Sequence, residues 1–387
     1  MHNSPVRERI VLADALRGFA LMGLFIVHMV EYFELYWYKP EPGWIHNLIF
    51  FLFGGKAYGV FALLFGLSFY IILDNYAKRG IDFRARFIWR ISLLLGFGYI
   101  HSLLYAGDIL QLLALCGFLL VVCHRLGNFW IAVISAFFLI QIPQLLLIIK
   151  HSVAPNPDYI QPAFWNLMGS NFEMFAKGSF TELVHYNLID GQKGKWAFFY
   201  ETGRLWNIAG LMFVGVLLGR TGFFEKQHDA RKLLLFICFA LGVFIVLKFS
   251  SAYLTQLFKP DMPQWCANEL FAYYQNLSII CIEVLLFVLA FQTKVGERLL
   301  RTFAPPGRLT LSFYIFQSVI FVPAYYGFGL AWYTFIGQTW SLILGIIFWL
   351  LQMYIAALYL QHFRYGPLEW LWRKATFYPR FLAAPGP

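Results

Sequence analysis

Long apolar runs separated by short polar joints recur along this chain from one end to the other. A membrane-spanning helix needs ~20 mostly apolar residues, and ten runs come close to that length. They cover roughly 11–33, 56–74, 86–105, 108–124, 128–149, 201–219, 232–252, 267–292, 309–332 and 336–360. The fourth and fifth are short and close together, which predicts a hairpin through "CHRLGN". The pattern therefore predicts an all-α, polytopic integral membrane bundle of about ten transmembrane helices. Residues 1–387 form a single transmembrane domain, with no clear internal repeat.

Composition sharpens this picture. The 387 residues are 60% hydrophobic and only 13% charged, against about 25% charged in soluble domains. Unpaired charge is costly in hydrocarbon, so charges collect in the joints. The net charge of +10 fits this placement and does not require nucleic acid. Arg7 and Arg9 precede the first run, and Lys78, Arg79, Arg84 and Arg86 follow the second. Arg220, Lys226, Arg231 and Lys232 follow the sixth, and Lys294, Arg298, Arg301 and Arg308 follow the eighth. The tail holds Arg364, Arg373, Lys374 and Arg380. These basic joints alternate with basic-poor ones, so both termini are expected in the cytoplasm. The segment 150–200 then lies outside. Rich in Phe, Trp and Tyr and carrying Pro155, Pro157 and Pro162, it reads as an interfacial or re-entrant cap.

The five cysteines form no CxxC pair and read as buried free thiols. The GGK at 54–56 lacks the spacing of a phosphate loop, whereas Gly59 and Gly66 suit close helix packing. No HExxH, Cys/His cluster or GxSxG occurs, so no metal site is expected.

A few polar residues stand inside the apolar runs. Asp14 and Arg17 share one face of the first helix, and His28 lies eleven residues on, about 16 Å at 1.5 Å per residue. A mid-helix charge costs roughly 2.5–3.5 kcal/mol. The face is thus either an internal packing pair or a polar groove. In "HSLLYAGDIL" (101–110), His101 and Asp108 flank a reversal that Gly107 permits. A carboxylate orienting an imidazole makes a general base near neutral pH; a capped helix end with a satisfied histidine is the plainer alternative. Glu201, Arg204 and Asn207 open the sixth run. They suggest either an interfacial ion pair or recognition of an acceptor from the outer face.

Four stretches, in this order, resemble one family: "LADALRGFALMGLFIVHM", "GVFALLFGLSF", "WRISLLLGFGYIHSLLYAGDIL", and "GRLTLSFYIFQSVIF" with "GPLEWLWR". They are similar to the YeiB-like bacterial multipass proteins, whose C-terminal part, here about 220–387, is a domain of unknown function. That family is grouped with a transmembrane acyltransferase superfamily that includes heparan-α-glucosaminide N-acetyltransferase. The resemblance implies transfer of an acyl group from cytosolic acyl-CoA to a glycan, lipid or small-molecule acceptor across a bacterial cytoplasmic (inner) membrane. It places Asp14, Arg17 and Gly18 of the "DxxRG" motif at the donor. It departs in the loop after helix one, where Lys39 stands near the place of the heparan enzyme's proposed catalytic histidine and His46 lies further on, so His28 or His101, with Asp108, would have to serve as base. Glu201, Arg204, Asn207 and Gln317 are the expected acceptor contacts, and a homodimer is expected. The alternatives are a transporter of a lipid or small amphiphile and a non-catalytic membrane partner.

Overall fold

A computed structural model describes residues 10–41, 43–153, 161–258 and 261–378. Arg7, Arg9, Pro155, Pro157 and Arg380 lie outside the described residues. The described residues run through seventeen α-helices. They are α1 (Val11–Val30), α2 (Trp44–Leu52), α3 (Ala57–Ala77), α4 (Arg84–Leu104), α5 (Leu110–Cys123), α6 (Asn128–Leu139) and α7 (Ile142–Val153). There follow α8 (Ala163–Lys177), α9 (Phe180–Glu201), α10 (Arg204–Thr221), α11 (Ala230–Leu254) and α12 (Met262–Phe291). The last are α13 (Lys294–Leu300), α14 (Ala304–Arg308), α15 (Thr310–Tyr325), α16 (Gly337–His362) and α17 (Pro367–Phe377).

Among the described residues seven stretches are long and apolar enough to span a membrane, and nine if each of two bent pairs counts as one span. The protein is an all-helical membrane protein, but the ten expected spans are not all reproduced. The fourth is α5, whose 14 residues reach only about 21 Å at 1.5 Å per residue, short of the ~30 Å hydrocarbon core. Its apolar character comes from burial: Leu112, Ala114 and Leu120 are enclosed by protein. The sixth run belongs to a bent pair, with α9 and α10 meeting at 64°. The fifth keeps a spanning length over Asn128–Val153, with a break between α6 and α7 at Gln141, which has φ +60°. These two breaks satisfy each other. Gln141 donates its amide to the Gly203 carbonyl at 3.1 Å, and Gln144 donates to Tyr200 and Glu201 carbonyls at 2.8 and 2.9 Å. Broken helices persist in a bilayer only where protein partners take up the freed groups in this way.

Helix α1 is the axis of the bundle, with Leu16, Leu21, Phe25 and Met29 fully enclosed. Small residues set the closest crossings. A Cβ on Gly66 of α3 would stand 1.9 Å from the Met212 carbonyl oxygen, and one on Gly215 of α10 would stand 1.9 Å from that of Leu63. Gly59 also fills its expected role, packing against Ile280 and Leu211. By contrast, α11 presents Leu235, Phe236, Phe239 and Phe249 outward, as a lipid-facing helix must.

The basic joints meet on one face. Trp89 donates to the Ala375 carbonyl, Trp372 to that of Arg90, and Arg308 to that of Arg364. Arg220 binds the carbonyls of His124 and Leu126. At the opposite end, α8 and α9 form a hairpin held down by Asn187 on the Leu103 carbonyl and by Gly327 N–H on that of Phe175. The first end is the basic side of the molecule and the second is its cap side.

Candidate functional site

The turn between α4 and α5 stands at the centre of the molecule. Helix α4 stops where Tyr105 turns extended, at φ −127° and ψ 102°. Asp108 then serves two partners. Its Oδ2 accepts from the Gln111 backbone N–H at 3.2 Å, and its Oδ1 lies 2.8 Å from His101 Nδ1. Both side chains are enclosed, at 1% exposure for His101 and 0% for Asp108. With the carboxylate holding the proton on Nδ1, His101 Nε2 is left buried without a hydrogen-bond partner. Gln111 staples the two helices together, donating to the Gly98 carbonyl and to Ser102 Oγ.

Two cavities approach this turn from opposite sides. The basic-side cavity, about 660 Å³, begins among Asp14, Arg17, Arg90, Arg308 and Arg364 and ends against Ile109, Leu110 and Tyr314. The cap-side cavity, about 500 Å³, begins among Trp165, Trp265 and Glu269 and ends against Ala106 and Gly107. Gly107 and Ile109 are two residues apart, so their Cα atoms are separated by at most about 7 Å. One turn of chain, Tyr105–Ile109, is the septum between the cavities.

The two histidines flank this septum on either side of Tyr105. Their ring centroids lie 5.2 Å (His28) and 5.9 Å (His101) from that of Tyr105, so the imidazoles are no farther apart than the sum of those distances. They are not bonded to each other. His28 Nδ1 is 2.9 Å from the Tyr105 hydroxyl and 3.3 Å from Glu31 Oε1. His101 lies towards the basic side, its ring 5.2 Å from that of Tyr314. Neither histidine lines either cavity.

The other expected residues divide into two groups. Arg17 lines the basic-side cavity, bonded to Asp14 Oδ1 and Ser68 Oγ, each at 2.9 Å. Gly18 does not face that cavity; it allows α1 to touch the 301–307 segment, since a Cβ there would stand 2.0 Å from the Phe303 carbonyl oxygen. On the cap side, Arg204 lies over the rings of Tyr58 and Phe198, at 4.7 and 4.6 Å, and lines the cavity. Asn207 lines it too, with Oδ1 lacking a partner. Glu201 and Arg204 are not three apart on one helix, because Gly203 at φ +72° breaks the chain between them. Glu201 instead accepts the Ala163 and Phe164 backbone N–H groups and caps α8. Gln317 is buried and donates to Gln352 Oε1 at 2.8 Å, joining α15 to α16. His46 stacks between Tyr36 and Phe50, and Lys39 is exposed.

Several site residues escaped the sequence reading. Glu34, Lys195, Glu269 and Tyr273 all line the cap-side cavity. Glu34 and Lys195 fall among aromatic and polar residues at the ends of apolar runs, where a charge usually meets water and so carries no signal. Tyr105 and Tyr314 are aromatic residues among many. Among the described residues no group of three or more His, Cys, Asp or Glu could hold a metal ion.

Comparison with known proteins gives a consistent result. Residues 218–379 match the model of a protein family of unknown function, DUF418. The chain is 28% identical to the uncharacterized protein YeiB of Escherichia coli K12, covering 98% of each chain. It is 24% identical to the uncharacterized protein YxaH of Bacillus subtilis, over 96% of this chain and 94% of the relative. An uncharacterized 39.9 kDa protein of Bacillus acidopullulyticus is 25% identical over 97% and 95%. These end-to-end matches, with the DUF418 region in the C-terminal part, make the chain similar to YeiB and its relatives along its whole length.

Proposed function

We propose that the protein transfers an acyl group from a cytosolic acyl-CoA in the basic-side cavity to an acceptor in the cap-side cavity. The observation that carries this reading is the pair of cavities closing on one septum that holds a buried His–Asp pair. The excess of Lys and Arg in the joints of the basic side supports a cytoplasmic location for it, and hence, in a bacterial cell, the inner membrane. Arg17, Arg90, Arg308 and Arg364 at the cavity mouth suit the phosphates of coenzyme A, which guanidinium groups bind in bidentate fashion. The deeper wall of Leu94, Leu113 and Leu311 suits the pantetheine arm and an acyl chain. The acceptor's hydroxyl or amine attacks the thioester carbonyl, a carbon–oxygen or carbon–nitrogen bond forms, and the carbon–sulfur bond breaks. The septum supplies the proton transfers, His101 being oriented for this by Asp108.

Donor binding is the first test. Acetyl-CoA should stabilise the detergent-purified protein by mass action, about 2.7 kcal/mol at a hundred times its dissociation constant, and Arg17→Ala should shrink that shift. A folded protein that no acyl-CoA stabilises would sink the reading and favour a carrier that opens the same two cavities alternately.

A further inference from the structure

Within the acyl-transfer reading, on which this inference rests, we propose that Glu34 is the general base that takes the proton from the attacking acceptor. The carboxylate stands where such a base must be. Glu34 lines the cap-side cavity, whereas His28 and His101 line neither cavity. Its Oε1 lies against the septum, 2.1 Å from where a Cβ on Gly107 would be. Its Oε2 is buried and has no hydrogen-bond partner. A buried carboxylate oxygen without a donor is costly, and an acceptor's O–H or N–H would supply the missing donor.

The backbone around it is held in an unfavourable shape. Tyr32, Phe33 and Glu34 are three consecutive non-glycine residues at positive φ, 53°, 51° and 80°. Such conformations cost of order 1 kcal/mol or more each and persist where the surroundings enforce them, often at functional sites. Here the Tyr326 hydroxyl donates to the Phe33 carbonyl at 3.1 Å, and the Phe33 ring packs against Tyr105. The strain sets the position of one side chain, that of Glu34. Glu31, the neighbouring carboxylate, is already engaged by His28.

The proton balance divides across the septum. The acceptor's proton passes to Glu34 Oε2 as its oxygen or nitrogen bonds the acyl carbon. The departing thiolate takes a proton from the Tyr314 hydroxyl, which lines the donor cavity, and His101, protonated on both ring nitrogens and with its ring 5.2 Å from that of Tyr314, restores it. Glu34 then releases its proton to water in the cap-side cavity, and His101 regains one from the basic side. Groups that bias Glu34 are Glu31, Tyr105, Lys195, Arg204, Tyr314 and Tyr326.

The test uses the full chain in detergent with acetyl-CoA as donor and water, glycerol or ethanolamine as acceptor probe, following release of the free thiol across pH. Glu34→Gln should lower turnover by 10²–10⁴, the usual contribution of a general base. It should also abolish the rise of rate with pH, while the acetyl-CoA thermal shift and the melting midpoint stay as in the wild type. Glu34→Asp should recover part of the rate and restore the rise, and Glu31→Gln should keep it. A Glu34→Gln protein that turns over within threefold of wild type and keeps the pH rise would overturn the role of Glu34 and leave acyl transfer standing. A wild-type protein that releases no thiol with any probe would overturn both.

Discussion

Asp108 holds an imidazole with one oxygen and a helix terminus with the other, so its substitutions should separate charge from packing. Asp108→Ala leaves His101 and the Gln111 N–H without a partner in an enclosed site. Removing one member of a buried pair costs about 3–5 kcal/mol, and the variant should lose most of its thermal stability in detergent. Asp108→Asn keeps an oxygen for the cap and should fold, so a loss of thiol release in that variant reports on the imidazole alone. Glu201 presents the reverse case. It was expected at the acceptor, yet it caps α8 through two backbone N–H groups. Hydrogen bonds to charged groups contribute about 1.5–3 kcal/mol. Glu201→Ala should therefore lower the melting midpoint without altering the Arg17-dependent response to acetyl-CoA, and Glu201→Gln should recover part of the loss. A variant of normal stability that has lost turnover would return Glu201 to the acceptor site.

At the scale of elements, the closest contacts pass through glycines. The α3–α10 crossing has backbone carbonyls where the Cβ atoms of Gly66 and Gly215 would be. A carbonyl cannot step aside as a flexible side chain can. Gly66→Val should thus separate the helices and cost at least the 1–3 kcal/mol typical of overpacking, read as loss of monodisperse protein in size-exclusion chromatography. Gly107 differs in kind. A methyl there meets the Glu34 carboxylate and the Tyr105 ring, both on the cap side of the septum. Gly107→Ala should reduce turnover far more than it reduces acetyl-CoA binding, because the donor cavity ends on the other side of the turn. Equal losses of both would place the defect in the fold.

The whole molecule has two unlike ends, and its orientation can be read directly. In a cysteine-free background, cysteines at Ser170 and Ser179 of the exposed cap hairpin should react with an impermeant thiol reagent in intact cells. A cysteine at Lys226, exposed on the basic side, should react only after the cells are broken. The reverse pattern would turn the protein over in the membrane and move the donor cavity outside. The two cavities also make a joint expectation. Ligands of the basic side should be sensitive to salt, since four arginines line it and screening weakens partly exposed charge, whereas the cap side, lined by charges of both signs, should respond less.

The sequence by itself determined that this is a helical membrane protein, because a chain with 13% charge and repeated twenty-residue apolar runs has no other stable solution in lipid. It also singled out Asp14, Arg17, His28, His101 and Asp108, because a polar group inside an apolar run is costly enough to need a reason. The His101–Asp108 pair was legible for the further reason that both residues flank one short turn. Only the tertiary structure decided that α5 is a buried core helix, since apolar composition is the same whether a helix faces lipid or protein. It alone separated Glu201 from Arg204, by a left-handed glycine whose φ no periodicity reports. It alone brought Glu34 and Lys195, from segments about 160 residues apart in sequence, to one cavity. Both stand at the ends of apolar runs, where a charge usually meets water, so nothing in the sequence marks them as the buried groups they are.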